Sequence, residues 1–105
     1  MSSRVFFLEP IKKGINVSAA EKYGAAHCIF EDKVPSPLDT PGFQAEFRRR
    51  MVVERFNPDV DYFVIVGSQA RLVLAALAMK DLYTKVRLLI HNASSGGDEY
   101  VARWV

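Results

Sequence analysis

The polar residues best placed for chemistry in this 105-residue sequence follow one glycine, Gly67. Ser68, Gln69 and Arg71 come directly after it, at the end of a long apolar run. In doubly wound α/β sheets, unpaired backbone N–H groups attract anions where the carboxyl end of a strand meets a helix. Glu9 ends the first apolar run, and it would share that edge if the two strands are neighbours. These five residues are a candidate site for a nucleotide or another phosphorylated ligand, in a small Rossmann-like module.

The same junction also has a purely structural interpretation. Gly67 would form a tight turn, and Ser68 would cap the helix that follows. The segment lacks the Gly-x-Gly-x-x-Gly pattern of dinucleotide-binding loops and the lysine of a P-loop. Glu9 would then be a solvated loop carboxylate. The sequence leaves both interpretations open.

A basic cluster, Arg48-Arg49-Arg50 followed by Arg55, is a candidate contact for nucleic acid. At about 100° per residue, three consecutive arginines spread over about 200° of a helix, so they do not form one face. Arg48 and Arg55, seven positions apart, do align. Glu46 stands four residues before Arg50, which favours an ion pair on a solvated helix. The net charge of +2 is too small to indicate nucleic acid by itself.

The histidines and the cysteine do not form a recognisable metal site or nucleophile. His27 and Cys28 are adjacent on a predicted strand and therefore point to opposite faces. His91 has no carboxylate at ligand spacing, and a single cysteine excludes an internal disulfide. Cys28 is typical of a buried structural thiol. We therefore predict no catalytic set, no metal and no cofactor, and favour a non-enzymatic protein.

The elements that would position these residues follow from apolar runs and turn signals. The predicted strands cover residues 5–8, 26–30, 61–67, 85–91 and 100–105, and the predicted helices begin at Ser18, Gly42 and Gln69, the last two ending at Phe56 and Tyr83. Alternating strands and helices predict one α/β domain with a mostly parallel sheet of about five strands and helices packed on it. The last two strands are close enough to pair as an antiparallel hairpin at the C-terminal edge.

Composition is that of an ordinary soluble globular domain. Half of the residues are hydrophobic and 25% are charged. The longest apolar run, Leu72 to Met79, has eight residues, whereas a membrane-spanning helix needs about 20. The start, Met1-Ser2-Ser3-Arg4, does not have the pattern of a signal peptide. We expect a cytoplasmic protein without a membrane partner.

The helix predicted from residue 69 to 83 carries apolar residues all round. A domain of this size can cover one side of such a helix with its own sheet, so another side should be buried against a second copy. We predict a homodimer whose interface includes Leu72, Leu74, Ala78 and Met79. In a competing interpretation the proline-rich segment Val34 to Pro41 covers the helix, and the chain is a monomer.

Four short motifs distributed along the chain carry a resemblance to other proteins. They are a first strand ending near Pro10, Asn16-Val17-Ser18-Ala19-Ala20 leading to Tyr23-Gly24, the strand 61–67, and Tyr100-Val101 in the closing strand. In these motifs the chain resembles a group of small, mostly uncharacterised proteins encoded by tailed bacteriophages. The group has a Trp-Asp-Arg turn where this sequence has His91-Asn92-Ala93. The resemblance implies a phage or prophage origin. Together with the lack of an assembled catalytic set, it favours an accessory protein that acts in the host cytoplasm through protein contacts, including contacts with a host protein.

Overall fold

Five strands and two α-helices make up the described part of the computed structural model, which covers residues 2–10, 17–92 and 99–105. The strands are β1 (Arg4–Phe7), β2 (Ala25–Cys28), β3 (Tyr62–Ile65), β4 (Arg87–Asn92) and β5 (Glu99–Trp104), and the helices are α1 (Thr40–Val53) and α2 (Gln69–Leu82). Most of the loop between the last two predicted strands, together with the motif residues Asn16 and Ala93, lies outside the described ranges.

The strands form one sheet in the order β2-β1-β3-β4-β5. β1 pairs in parallel with β2 and β3, β3 pairs in parallel with β4, and β4 pairs antiparallel with β5. The uninterrupted apolar runs in the sequence are typical of strands at the centre of such a sheet, because parallel strands that are covered on both faces do not alternate apolar and polar residues. The predicted α/β fold, with a mostly parallel sheet and an antiparallel C-terminal edge, is confirmed.

Two local predictions about helix starts are wrong. The segment at Ser18 makes two short 3₁₀ turns rather than an α-helix, because Gly24 follows before enough turns can form. α1 begins at Thr40 rather than at Gly42, and the residue that caps it is Asp39, whose carboxylate accepts a hydrogen bond from Gly42 N at 3.2 Å. A carboxylate at this position also complements the positive end of the helix dipole.

Both α-helices pack on one face of the sheet. α1 buries Phe43, Phe47 and Met51, which are spaced four residues apart and therefore share one stripe. α2 buries Ala75, Ala78 and Met79. The sheet side of the same apolar cluster includes Phe6, Leu8, Phe63 and Val86.

This packing changes the predicted dimer surface. The assignment of Ala78 and Met79 to an intermolecular interface is wrong, because both side chains are buried in the chain's own core. Leu72 and Leu74 are partly buried against that core, so a second copy could reach only part of each. The homodimer itself stays a prediction.

The opposite face of the sheet carries no α-helix among the residues that the structure describes. Its buried side chains come from four strands and a turn: Val5, Phe7, Ala20, Val64, Val66, Leu89 and Tyr100. Tyr23, in the second 3₁₀ turn, packs on this face and donates its hydroxyl to Tyr100 O at 2.8 Å. The Tyr23 side chain thus links the turn to the backbone of β5.

Asp61 is buried at the start of β3, where it is 2% exposed. Its carboxylate accepts hydrogen bonds from Arg4 N at 3.0 Å, from Arg4 Nη2 at 3.2 Å and from Asn57 N at 2.8 Å. Asp61 therefore joins the beginning of β1, the beginning of β3 and the loop after α1 at one point.

α1 ends at Val53, three residues before the predicted end at Phe56. The chain turns at Arg55, which has a positive φ of 56°, and Phe56 N donates to Met51 O at 3.1 Å. This is a helix ending that ordinarily uses glycine at the left-handed position. Because the helix has already ended, Arg48 and Arg55 do not lie on one helical face, and their predicted alignment is wrong.

Substitutions at Arg55 should separate the effect of backbone conformation from that of charge. We expect Arg55→Gly to leave the free energy of unfolding unchanged or to raise it by up to about 1 kcal/mol, since glycine adopts positive φ without steric cost. Arg55→Val should lower it by about 1–2 kcal/mol, because a β-branched side chain is strained there. Urea denaturation of the two variants checks the order, and equal stabilities would contradict the assigned turn.

Candidate functional site

The candidate site is the junction between β3 and α2, and the Glu9 carboxylate lies in it. Glu9 Oε1 accepts a hydrogen bond from Ser68 N at 2.9 Å. Glu9 Oε2 accepts one from Arg71 Nη1 at 3.0 Å, which is also an ion pair. The Glu9 side chain is only 15% exposed. The prediction that Glu9 and Ser68 share one edge of the sheet is therefore confirmed.

Glycine is required in this junction for two reasons. Gly67 has a φ of 138°, in a region that other residues rarely adopt. A Cβ at this position would also lie 2.9 Å from Glu9 Oε1, so the carboxylate could not stay where it is. The order of the sheet sets the rest of the geometry, because β1 and β3 are adjacent and their carboxyl ends meet.

Ser68 is the N-cap residue of α2, but its hydroxyl makes no capping hydrogen bond. The carboxylate of Glu9 stabilises this end of the helix instead. It accepts a hydrogen bond from Ser68 N and brings a negative charge to the positive end of the helix dipole. Glu9 is thus a fixed internal counter-ion. The alternative in which it is a solvated loop carboxylate is wrong.

The five predicted ligand residues do not all come together. Glu9, Gly67, Ser68 and Arg71 form one cluster, whereas Gln69 is exposed and lines a groove on the outer side of α2. The place where an anionic ligand would meet the N–H of Ser68 and the guanidinium is already occupied by a carboxylate of the chain itself. A phosphorylated ligand would therefore have to displace Glu9.

Arg71 also holds the proline-rich segment. Its Nε donates to Pro35 O at 3.3 Å while its Nη1 donates to Glu9. Val34 packs against the core, whereas Leu38 is 96% exposed. The segment therefore lies beside the N-terminal end of α2. It does not cover the whole helix, and such coverage is what the competing monomer interpretation would require.

The basic cluster of α1 is neutralised largely within the chain. Arg48 Nη2 forms an ion pair with Asp81 Oδ2 of α2 at 3.1 Å. Arg49 and Arg50 both bind the carboxylate of Glu46. Hydrogen bonds from Arg49 first, and then from Arg50, lower the pKa of Glu46 to about 2. The predicted ion pair is confirmed, and these arginines are poorer candidates for phosphate contacts than their number indicates.

His27 and Cys28 point away from each other, as predicted from their adjacent places on a strand. The His27 ring packs edge-on against Phe6 at a centroid distance of 5.0 Å. Its Nε2 lies 3.2 Å from Glu54 Oε2, close enough for an ion pair but without hydrogen-bond geometry. The Cys28 thiol is half-buried, and burial raises its pKa, which lowers its reactivity as a nucleophile. Within the described ranges, no three His, Cys, Asp or Glu residues are grouped to hold a metal.

Large apolar side chains are exposed on the outer side of the two helices. Leu38 is 96% exposed, and Val73 and Leu77, one turn apart on α2, are 58% and 57% exposed. Val52 of α1 is also exposed, and it projects about 140° away from the centre of the buried stripe of that helix. Leu38 and Val73 line the same shallow apolar groove. We call these four residues the outer helix face.

Comparison of the chain with models of protein families, with curated proteins and with solved structures finds no match. None of the helices in the described part of the chain is long and apolar enough to cross a membrane. The function must therefore be argued from the geometry of the chain itself.

Proposed function

We propose that this protein is a non-enzymatic binding protein that acts through protein–protein contacts made by its outer helix face. The observation that carries the proposal is the exposure of Leu38 and Val73 in one apolar groove and of Leu77 one turn along α2, with Val52 also exposed on α1. Exposed apolar patches of this kind are typical of interaction sites, whereas apolar side chains scattered singly are not. The motif resemblance supports a phage or prophage origin, with a host protein among the partners.

The first partner that we propose is a second copy of this chain. A two-fold interface uses the same patch on both subunits, so the patch must be complementary to itself. The outer helix face meets this condition, because its apolar residues lie beside a paired cation and anion, Arg48 and Asp81. Two such faces can be placed together without bringing like charges into opposition.

Leu77→Glu should convert the protein from a dimer to a monomer. Since Leu77 is 57% exposed, the change places a charge at the interface without entering the core, which Leu74→Glu would do. Light scattering at micromolar concentration should give twice the chain mass of 11.8 kDa for the wild type and a single chain mass for the variant. Lys85→Glu, an exposed change outside the helix layer, should stay dimeric.

A wild type that has the mass of one chain throughout this concentration range would reject self-association. A variant that dissociates but also loses its thermal unfolding transition would show that Leu77 supports the fold. If the wild type is monomeric, capture of a host protein by the wild type but not by Leu77→Glu would locate the partner surface instead.

The alternative function is a Rossmann-like module that binds a phosphorylated ligand at Gly67–Arg71. The observation in its favour is that the chain places a carboxylate against Ser68 N and Arg71, which shows that this position accepts an anion. It ranks below protein binding, because Glu9 already fills the position. The Glu9 substitution considered in the Discussion separates the two.

A further inference from the structure

Three side chains form a row across three adjacent strands on the sheet face opposite the helices. Tyr62 belongs to β3, Arg87 to β4 and Trp104 to β5, and Arg87 is the register partner of Trp104. The Arg87 guanidinium carbon lies 4.2 Å from the centre of the Tyr62 ring and 4.9 Å from that of the Trp104 ring. The neighbours Phe63 and Leu88 point to the helix side, so the row projects from the other face.

A turn beside the sheet extends this row. The Tyr23 ring meets the Tyr62 ring edge-on, at a centroid distance of 5.4 Å. Lys22 Nζ lies 5.4 Å from the centre of the Tyr23 ring. At the other end Trp104 is 52% exposed. The result is a line of aromatic rings interleaved with cations, in which the last ring is open to solvent.

Arg87 differs from most arginines of this protein in its partners. Arg4, Arg48, Arg49, Arg50 and Arg71 each form an ion pair with a carboxylate. Arg87 forms none with a described residue; its Nη2 donates to the backbone oxygen of Asp59 at 2.9 Å, and its buried Nε has no hydrogen-bond partner. Among the residues that the structure describes, no carboxylate is paired with this positive charge, so it can attract an anion.

We propose that this face binds single-stranded nucleic acid, with a base stacked on Trp104 and the backbone phosphates next to Arg87 and Lys22. Proteins that bind single strands combine aromatic side chains, on which bases stack, with cations that follow the backbone. The row supplies both on one surface. If Arg87 only held the Tyr62 and Trp104 rings together, that structural role would explain both ring contacts. It would not require Trp104 to be half-exposed beside a cation that has no carboxylate partner among the described residues.

The protein carries its own probe for this contact, since Trp104 is its single tryptophan. Titration with an oligothymidylate of about ten nucleotides, within the usual site size of such proteins, should quench the tryptophan emission. The affinity should fall with added salt, with a logarithmic slope of about −0.7 for each phosphate contact. A duplex of the same length should bind more weakly, because its bases are not free to stack.

Variants at the two ends of the contact distinguish stacking from simple charge attraction. Trp104→Ala should weaken binding of a labelled oligothymidylate by about 5- to 150-fold, the range expected for one lost base stack, whereas Trp104→Phe should restore most of it. Arg87→Gln should weaken binding and reduce the salt slope by about 0.7. Ile90→Ala is the matched control, because Ile90 is exposed and lies on the helix side of the sheet next to Leu88.

The proposal is overturned if fluorescence anisotropy shows no binding of the labelled oligothymidylate at low salt and 100-fold molar excess of protein. It is also overturned if binding leaves the Trp104 emission unchanged, or if duplex binds as tightly as single strand. Circular dichroism verifies that the variants fold. If Trp104→Ala does not fold, the quenching titration and Arg87→Gln decide the matter by themselves.

Discussion

Asp61→Ala should lower the free energy of unfolding by at least about 3 kcal/mol, because two backbone N–H groups each lose a hydrogen bond to a charged acceptor, worth about 1.5–3 kcal/mol. The carboxylate is 2% exposed and accepts bonds from two backbone N–H groups and from the guanidinium of Arg4. Alanine would leave all three donors without this acceptor, next to a guanidinium that has lost its counter-ion. Denaturation by urea measures the loss.

Asp59→Ala is the matched control, because it removes an exposed carboxylate two residues away and should change stability by less than about 0.5 kcal/mol. Asp61→Asn keeps one acceptor oxygen, and we expect an intermediate loss. It also supplies the measurement if the alanine variant does not fold, since small domains have only about 5–15 kcal/mol of stability in total. Equal stabilities for the two alanine variants would show that the Asp61 bonds contribute nothing.

Glu9→Ala should lower the free energy of unfolding by about 1.5–3 kcal/mol, the range for hydrogen bonds to charged groups. The change removes the acceptor for Ser68 N and the counter-ion of Arg71 together. Glu9→Gln should cost less, because the amide oxygen can still accept from Ser68 N. A double-mutant cycle of Glu9→Ala with Arg71→Ala should give a coupling energy of about 0.5–3 kcal/mol.

The same variant tests the phosphorylated-ligand alternative. Removal of Glu9 vacates an anion position beside Ser68 N and Arg71, so inorganic phosphate should raise the melting temperature of Glu9→Ala. A ligand at 100 times its dissociation constant contributes about 2.7 kcal/mol, which is easily measured in a small domain. The wild type should show no such shift. A shift of the wild type with a nucleotide would mean that the ligand displaces Glu9, and would favour the alternative function.

The fold could be predicted from sequence because its signals are local. Short apolar runs without polar alternation indicate buried parallel strands, and Asn57-Pro58 indicates where a helix must already have ended. The position of Glu9 beside Ser68 could be predicted only on the condition that β1 and β3 are neighbours in the sheet, which the structure shows. The sequence does not state which strands are neighbours, and so the ion pair to Arg71 could not be specified.

Ala78 and Met79 were wrongly assigned to the dimer interface for a different reason. α2 is apolar on nearly every side, so no polar arc indicates which side meets the sheet. Ala78 and Met79 are as apolar as Val73 and Leu77, and only tertiary packing shows which pair is buried. The row of Tyr62, Arg87 and Trp104 was missed because its members come from three strands, and no spacing along the chain brings them together.

The burial of Asp61 could not be predicted from the sequence either, because its main partner, Arg4, lies 57 residues away along the chain. The end of α1 shows the opposite difficulty. There the partners are local, but a left-handed arginine is uncommon, and a sequence that continues to Arg55 and Phe56 without glycine gives no signal that the helix has stopped at Val53.

The central place of β1 has a consequence for the order in which the protein can assemble during its synthesis. β1 is made before the other four strands, and Asp61 and Arg71, which bind Arg4 of β1 and Glu9 just after it, are made much later. At about 5–20 residues per second, Arg4 waits about 3–11 s for Asp61. Throughout that interval β1, an apolar strand, can pair only with β2, and its other edge is free to meet a chaperone or a neighbouring chain.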